Sequence, residues 1–262
     1  MERSFNKLRA ALSLTGREHM ALVGAGGKTG ILFSLAEELR RAGKRVVTST
    51  TTKVWHHQAM KAPCVVYTAD LRPWRDRIKE GLAERGHVFV GRCVLESGKI
   101  DGISTQTSDT LFRDIEVDYL LVEADGAAGL PAKAPSSREP AVPASATIVV
   151  AVMGLEAVNR PLSSDIVFRL DEVKRITGLA MSMPLTAAAL SRLFLHPQGL
   201  FKGAPGSARR IPFLNKLDLL KSETDALELA GIILEEAKPE IDRVIIGSVK
   251  AGKYRVIEKE KR

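Results

Sequence analysis

The sequence predicts an α/β protein, with a mainly parallel β-sheet covered by helices on both faces. Three observations point there. Apolar and amphipathic runs alternate along nearly the whole chain, the mark of repeated strand–helix–strand units. The strand-like runs are continuous rather than alternating, as in Tyr-Leu-Leu-Val-Glu-Ala-Asp over 119–125 and Thr-Ile-Val-Val-Ala-Val-Met-Gly over 147–154, which fits strands buried on both faces. With 262 residues, 45% of them hydrophobic, the chain can bury a sizeable core.

In chain order, strands are expected at 19–25, 45–51, 64–68, 87–90, 118–125, 147–153, 210–214 and 244–249. Helices are expected at 29–42, 73–85, 107–115, 165–177, 185–194 and 223–237. The first of these shows its period plainly, with Ile31, Leu32, Leu35, Ala36 and Leu39 on a 3–4 spacing. Residues 1–14 read as an amphipathic helix rather than a secretory leader, and 250–262 as a charged tail. Two regions break the rhythm: 93–104 reads as a hairpin with a Ser-Gly turn, and 129–145, rich in Pro, Ala and Ser, as an ordered loop. The expected organisation is one domain over 1–262 with a helical insertion around 155–208.

Composition narrows the function. The net charge is +8 and the isoelectric point about 9.6, a balance that attracts polyanions. The basic residues are dispersed, however, and aromatic residues make up only 5%, without a stacking motif for bases. Nucleic acid is therefore not an expected partner. Cys64 and Cys93 lack metal-ligand spacing and a disulfide framework. Both lie in apolar runs and are expected to be buried. The longest apolar stretch, 146–155, is too short to span a bilayer. A soluble cytoplasmic protein with no membrane partner is expected.

The strongest motif is Met-Ala-Leu-Val-Gly-Ala-Gly-Gly-Lys-Thr-Gly over 20–30. An apolar strand runs into a glycine-rich turn, then Lys28-Thr29, then a helix. That is the context of a phosphate-binding loop. Glycines permit the tight turn and aim N–H groups at an anion, and the helix N-terminus adds its dipole. Gly24, Ala25, Gly26, Gly27, Lys28, Thr29 and Gly30 are accordingly the expected nucleotide-binding segment. Lys28 would reach the β/γ-phosphates and the Thr29 hydroxyl would hold Mg²⁺. The longer pattern G-x-x-x-x-G-K-[ST] would require glycine where Leu22 stands; the form present is G-x-x-G-K-T, as in Mur-type peptide ligases. The motif refines the expected architecture to a three-layer P-loop NTPase-like fold.

Two further strand ends carry chemistry. Glu123 and Asp125 end an apolar strand two residues apart, on one side of it. A carboxylate there can hold the Mg²⁺ shell or orient a water; Asp125 is the expected metal ligand beside Thr29. Asn215-Lys216-Leu217-Asp218 follows another apolar strand and resembles the guanine-reading element of GTPases, in which the Asp carboxylate accepts from the guanine ring. Ser248, closing the last apolar strand, is placed to approach the base. The cofactor is thus Mg²⁺ with GTP or ATP. Thr51 and Thr52 lie in a hydroxyl-rich strand end beside the loop, and Lys53 could add charge to a transferring phosphoryl group. Lys28, Asp125, Glu123 and Lys53 form the expected catalytic set. No residue stands out as a general base, so catalysis would rest on positioning and electrostatics. His56-His57 reads as a surface pair.

Taken in order, GAGGKT, TTTK, VEADGA, Lys133-Ala-Pro135, Arg138-Glu139-Pro140, Pro143, HPQG and NKLD resemble the YqeC family from about Leu22 to Ser248. The resemblance implies a P-loop-like accessory protein of selenium-dependent molybdenum hydroxylases, acting in making or inserting their selenium cofactor. The hydroxylase or its cofactor would then be a partner, alongside the nucleotide. Lys133, Arg138 and Glu139 lie on a proline-stiffened loop leaving the acids and are candidate substrate contacts. Two activities fit one such site: phosphoryl transfer or hydrolysis, or a nucleotide-switched chaperone with little turnover of its own.

Overall fold

A computed structural model describes residues 2–237 and 240–259. Its ten-stranded sheet comprises β1 (Glu2–Phe5), β2 (Glu18–Gly24), β3 (Val46–Thr50), β4 (Val65–Tyr67), β5 (His87–Gly91), β6 (Tyr119–Glu123), β7 (Ile148–Gly154), β8 (Arg209–Asn215), β9 (Arg243–Ser248) and β10 (Lys253–Glu258). Across the sheet the order is β1-β10-β9-β8-β7-β2-β6-β3-β5-β4. Pairing is parallel from β9 to β4, and β10 runs antiparallel to both β9 and β1. The strands predicted from apolar runs are all present, and the sheet is mainly parallel as expected.

Six helices of eight or more residues are described: α1 (Lys28–Arg41), α2 (Trp74–Arg85), α3 (Thr105–Asp114), α4 (Leu170–Thr177), α5 (Ala187–Leu195) and α6 (Thr224–Glu236). Alternation along β2 explains their distribution. Met20 and Leu22 face one side, against Ile31, Leu32, Leu35 and Leu39 of α1. Ala21 and Val23 face the other, in a cluster with Val173 and Ile176 of α4, Leu190 and Leu193 of α5, and Leu229 and Ile233 of α6. Leu120 and Val122 of β6 pack on that second side against Ile78 of α2 and Leu111 of α3. Each fully buried Leu or Ile contributes about 2 kcal/mol, so α1 is held mainly by its apolar stripe. Residues 155–208 contribute α4 and α5 to the same cluster as β7 and β8.

Four expectations are corrected. The N-terminal segment is strand β1 followed by one helical turn, Leu8–Ala11, because Glu2–Phe5 finds a partner in β10. That partner is the segment read as a charged tail, of which 260–262 lie outside the described residues. The helix expected from 165 starts at Leu170 instead. Arg169 takes a left-handed backbone conformation (φ 63°), and Val167–Phe168 pairs in parallel with Ala132–Lys133. Cys64 and Cys93 are free thiols, each only partly buried; Cys64 edges the cluster under α2.

The 93–104 region forms the expected hairpin, Cys93–Val94 against Lys99–Asp101, and is joined by a third short strand, Val54–Trp55. Gly102 locks this ribbon onto β3: a Cβ there would lie 2.5 Å from the Thr50 carbonyl oxygen and 2.6 Å from that of Thr52.

Candidate functional site

The carboxyl ends of β7, β2, β6 and β3 lie side by side, in register from Gly24 against Val152 to Leu22 and Thr50 against Glu123. The turn leaving β2 is built by close approach. A Cβ on Gly24 would meet the Val152 oxygen at 2.3 Å, one on Gly26 the Gly154 nitrogen at 2.0 Å, and one on Gly27 the Asn215 Nδ2 at 2.5 Å. All three glycines have positive φ, which L-residues rarely adopt. Glycine is therefore required at each position for packing as well as for turning.

The loop amides are shared out in a way the sequence does not announce. Gly24 N donates to Asp125 Oδ2 at 3.0 Å, Ala25 N to the Val152 oxygen at 2.9 Å, and Gly26 N to the Leu130 oxygen at 3.0 Å. These three N–H groups serve the protein. The amides left for an anion are those at the start of α1, which have no intrahelical acceptor. Gly27, Lys28 and Thr29 line a cleft of about 650 Å³ there. Gly30 faces a separate groove on the outer side of α1.

A chain of buried and half-buried charges runs along the floor of the cleft. Lys28 Nζ donates to the Gly24 carbonyl oxygen at 2.5 Å, 3.1 Å from Asp125 Oδ1 and 3.7 Å from Glu123 Oε1. Burial works against the ammonium, but Asp125 and Glu123 outweigh it and raise its pKa. Asp125 is fully buried, and its Oδ2 also lies 3.1 Å from Lys133 Nζ. Lys133 is itself sealed from solvent and reaches Glu139 at 2.8 Å and the Gly126 oxygen at 2.6 Å. Glu139 then receives a two-point clamp from Arg169, at 3.0 and 2.9 Å. Burial would raise the Glu139 pKa, yet Arg169 and Lys133 hold it below the ordinary carboxylate range. Arg169, Lys133 and Lys28 thus alternate with Glu139, Asp125 and Glu123. Full pairing of this kind is what makes buried charge tolerable.

Glu123 ends this chain at the cleft. Its Oε2 accepts from Thr29 Oγ1 at 2.8 Å, and burial raises its pKa despite Lys28 and Thr29. Two oxygen donors, one carboxylate and one hydroxyl, therefore meet beside the helix N-terminus. Such hard donors suit Mg²⁺, which keeps several waters and takes few protein ligands. Thr29 and Glu123 fit that ion. Asp125, expected as the ligand, lies deeper and is committed to two lysines and an amide.

The other expected residues divide. Thr52, Lys53 and Lys216 line the cleft, Lys216 in an ion pair with Glu156. Asn215 is buried and ties the loop down, donating to the Gly26 oxygen at 2.9 Å and accepting from Val249 N at 3.2 Å. Thr51 Oγ1 donates to the Ala141 oxygen at 3.1 Å, and Ser248 Oγ accepts from Ala251 N at 3.1 Å; both are structural bonds. Asp218 and Arg138 are exposed and do not line the cleft. Lys133 is a buried strut rather than a surface contact. Sequence reasoning missed Arg169, Phe168, Trp55, Gln58 and Lys99, all of which line the cleft. No motif marks them; they arrive on short strands, a four-residue helix or a helix start outside the main sheet.

A family model described as "YqeC protein" matches residues 20–171, more than half of the chain. Its span runs from β2 to just past Arg169, and so holds the glycine loop and the whole charge chain. The chain belongs to the YqeC family. A curated relative, the "Uncharacterized protein YqeC" of Escherichia coli (strain K12), is 34% identical over 216 residues, covering 80% of each chain. Among solved structures, the chain is similar to the structure of chloroplast FtsY from Physcomitrella patens at a TM-score of 0.40 and 12% identity. That likeness covers 88% of this chain and 59% of that one, so the chain spans less than two thirds of that protein. No helix among the described residues is long and apolar enough to cross a membrane.

Proposed function

We propose that this YqeC-family protein binds a Mg-nucleotide, GTP or ATP, on a P-loop-like turn, and hydrolyses it or transfers its γ-phosphoryl group. On this reading it serves the biosynthesis or insertion of a selenium cofactor of molybdenum hydroxylases, the pathway implied by family resemblance. The observation that carries the nucleotide reading is the pairing of Thr29 with Glu123 at the mouth of a cleft that also opens on Lys28 and the first amides of α1. Helix N-terminal amides and a lysine complement phosphate charge. Thr29 and Glu123 would hold Mg²⁺, which when bound neutralises charge on the phosphates and orients them. Lys53, exposed on the cleft wall, is free to approach the transferring group. Glu123 and the buried lysines fix the loop, so the chemistry rests on preorganised charge.

A second reading, a nucleotide-switched chaperone, draws support from the charge chain. It links Lys28 through Asp125, Lys133 and Glu139 to Arg169 at the start of α4, so a ligand that draws on Lys28 acts on the 126–143 loop and α4 together. Single-turnover hydrolysis with and without the apo-hydroxylase separates the two. Turnover by the protein alone supports the enzyme. Binding without turnover until the partner is added supports the switch.

A further inference from the structure

We propose that the β3 side of the cleft is a second ligand subsite, shaped for a planar ring that carries a phosphate or comparable anionic group. The inference rests on the nucleotide reading for the occupant of the glycine loop, and assigns this wall to a different molecule.

The three-strand ribbon forms the aromatic side of this wall. Val54 and Ile100 are register partners and both are buried. The period-two alternation of a strand therefore turns their neighbours, Trp55 and Lys99, the other way. Trp55 is 49% exposed, a large apolar surface to leave in water. Lys99 Nζ lies 4.6 Å from its ring centroid, and both residues line the cleft. Gln58 fixes the backbone here, its Oε1 accepting from Trp55 N at 3.3 Å, and Gly102 presses the ribbon against the end of β3. The aromatic platform is thus held in place.

Charge gives the second half. Of the cations lining the cleft, Lys28, Arg169 and Lys216 are matched by Glu123, Glu139 and Glu156. Lys53 and Lys99 have no ion-pair partner among the described residues. Both sit on the Trp55 wall, so the uncompensated positive charge and the open ring coincide. An open ring beside two unmatched cations complements a planar anion.

The wall is separate from the segment expected to meet the base. Asn215 and Lys216 lie at the end of β8, and Trp55 follows β3, four strands away across the sheet, roughly 19 Å at ~4.8 Å per strand. A nucleotide with phosphates at Lys28 and its base toward Asn215 leaves the Trp55 wall uncovered. A ligand there would face the γ-phosphate end of the loop, the position of an acceptor.

The test uses flavin mononucleotide as the probe, followed by its own fluorescence anisotropy with the full-length protein. Saturable binding is expected, at least tenfold tighter than that of riboflavin, which lacks the phosphate. Trp55→Ala and Lys99→Ala should each weaken it at least tenfold with the circular dichroism spectrum unchanged; Trp55→Phe should restore most of it. A saturating non-hydrolysable Mg-nucleotide should leave the probe bound. Absence of saturable binding, equal affinity for riboflavin, or indifference to both alanine variants overturns the proposal. Competitive displacement by nucleotide overturns it too, by making Trp55 the platform for the nucleotide's own base. Probe binding that depends on Trp55 in a protein that binds neither GTP nor ATP keeps the subsite and removes the nucleotide reading.

Discussion

Two strand ends of this protein carry nucleotide-like sequence patterns, and the fold treats them differently. At the end of β2 and β6, Gly24, Lys28, Thr29, Glu123 and Asp125 are bonded to one another, and Asp125 is bonded onward to Lys133. At the end of β8, Asn215 alone is locked. Lys216 leans on Glu156, and Asp218 stands exposed on a short 3-10 turn, Leu217–Leu219. The first end is a machine part whose residues cannot be changed one at a time. The second has one structural residue, one lysine held in an ion pair, and one exposed aspartate. Substitutions at the first should thus disturb stability and binding together, and at Asp218 binding alone.

The largest effect is expected at Lys133. Lys133→Met leaves the buried Asp125 and the half-buried Glu139 without their shared cation and should cost about 3–5 kcal/mol, read as a lower urea midpoint. A loss under 1 kcal/mol would mean that the charge chain is not a structural unit. Next comes acid. His19 bonds Ser145 and Ser108, and His87 bonds Thr48, both buried. Burial pushes each imidazole down to about 4, against about 6.5 unfolded. As pH falls from 6.5 to 4 the unfolded chain takes up protons that the native state refuses, so stability drops by about 3 kcal/mol for each histidine. Unfolding free energies that stay flat between pH 7 and 4.5 would contradict this. Asn215→Ala removes one buried and one partly buried hydrogen bond that fasten the loop and should cost about 2 kcal/mol, with weaker nucleotide binding. Asp218→Asn should change stability by less than about 0.5 kcal/mol and lower affinity for GTP while sparing ATP. Equal effects on the two nucleotides would remove the guanine reading and leave the β2 end untouched.

Much of the frame was legible because buried parallel strands have no polar face to disguise them; every residue of β7 is buried. The edge strand β1 and its neighbour β10 were hidden because their charged residues look like the polar face of a helix and a solvated tail. Arg3, Arg255 and Glu258 are spent on ion pairs along that edge instead. In the site, the glycine loop and Glu123 could be read from motif and spacing. The role of Lys133 could not: a lysine in a Pro-rich stretch looks exposed until two carboxylates, one of them pinned by Arg169 from 30 residues further along, enclose it. Trp55 and Lys99 face each other only because the 93–104 hairpin captures a two-residue strand.

The central claim, that Gly27–Thr29 and Glu123 form a Mg-nucleotide site, is tested most directly by calorimetric titration with GTP and ATP, each with and without Mg²⁺. Binding of at least one of them should strengthen at least tenfold with Mg²⁺, and Thr29→Val should lose that Mg²⁺ dependence. Failure to bind either nucleotide, or binding indifferent to Mg²⁺ and to Thr29, would contradict it.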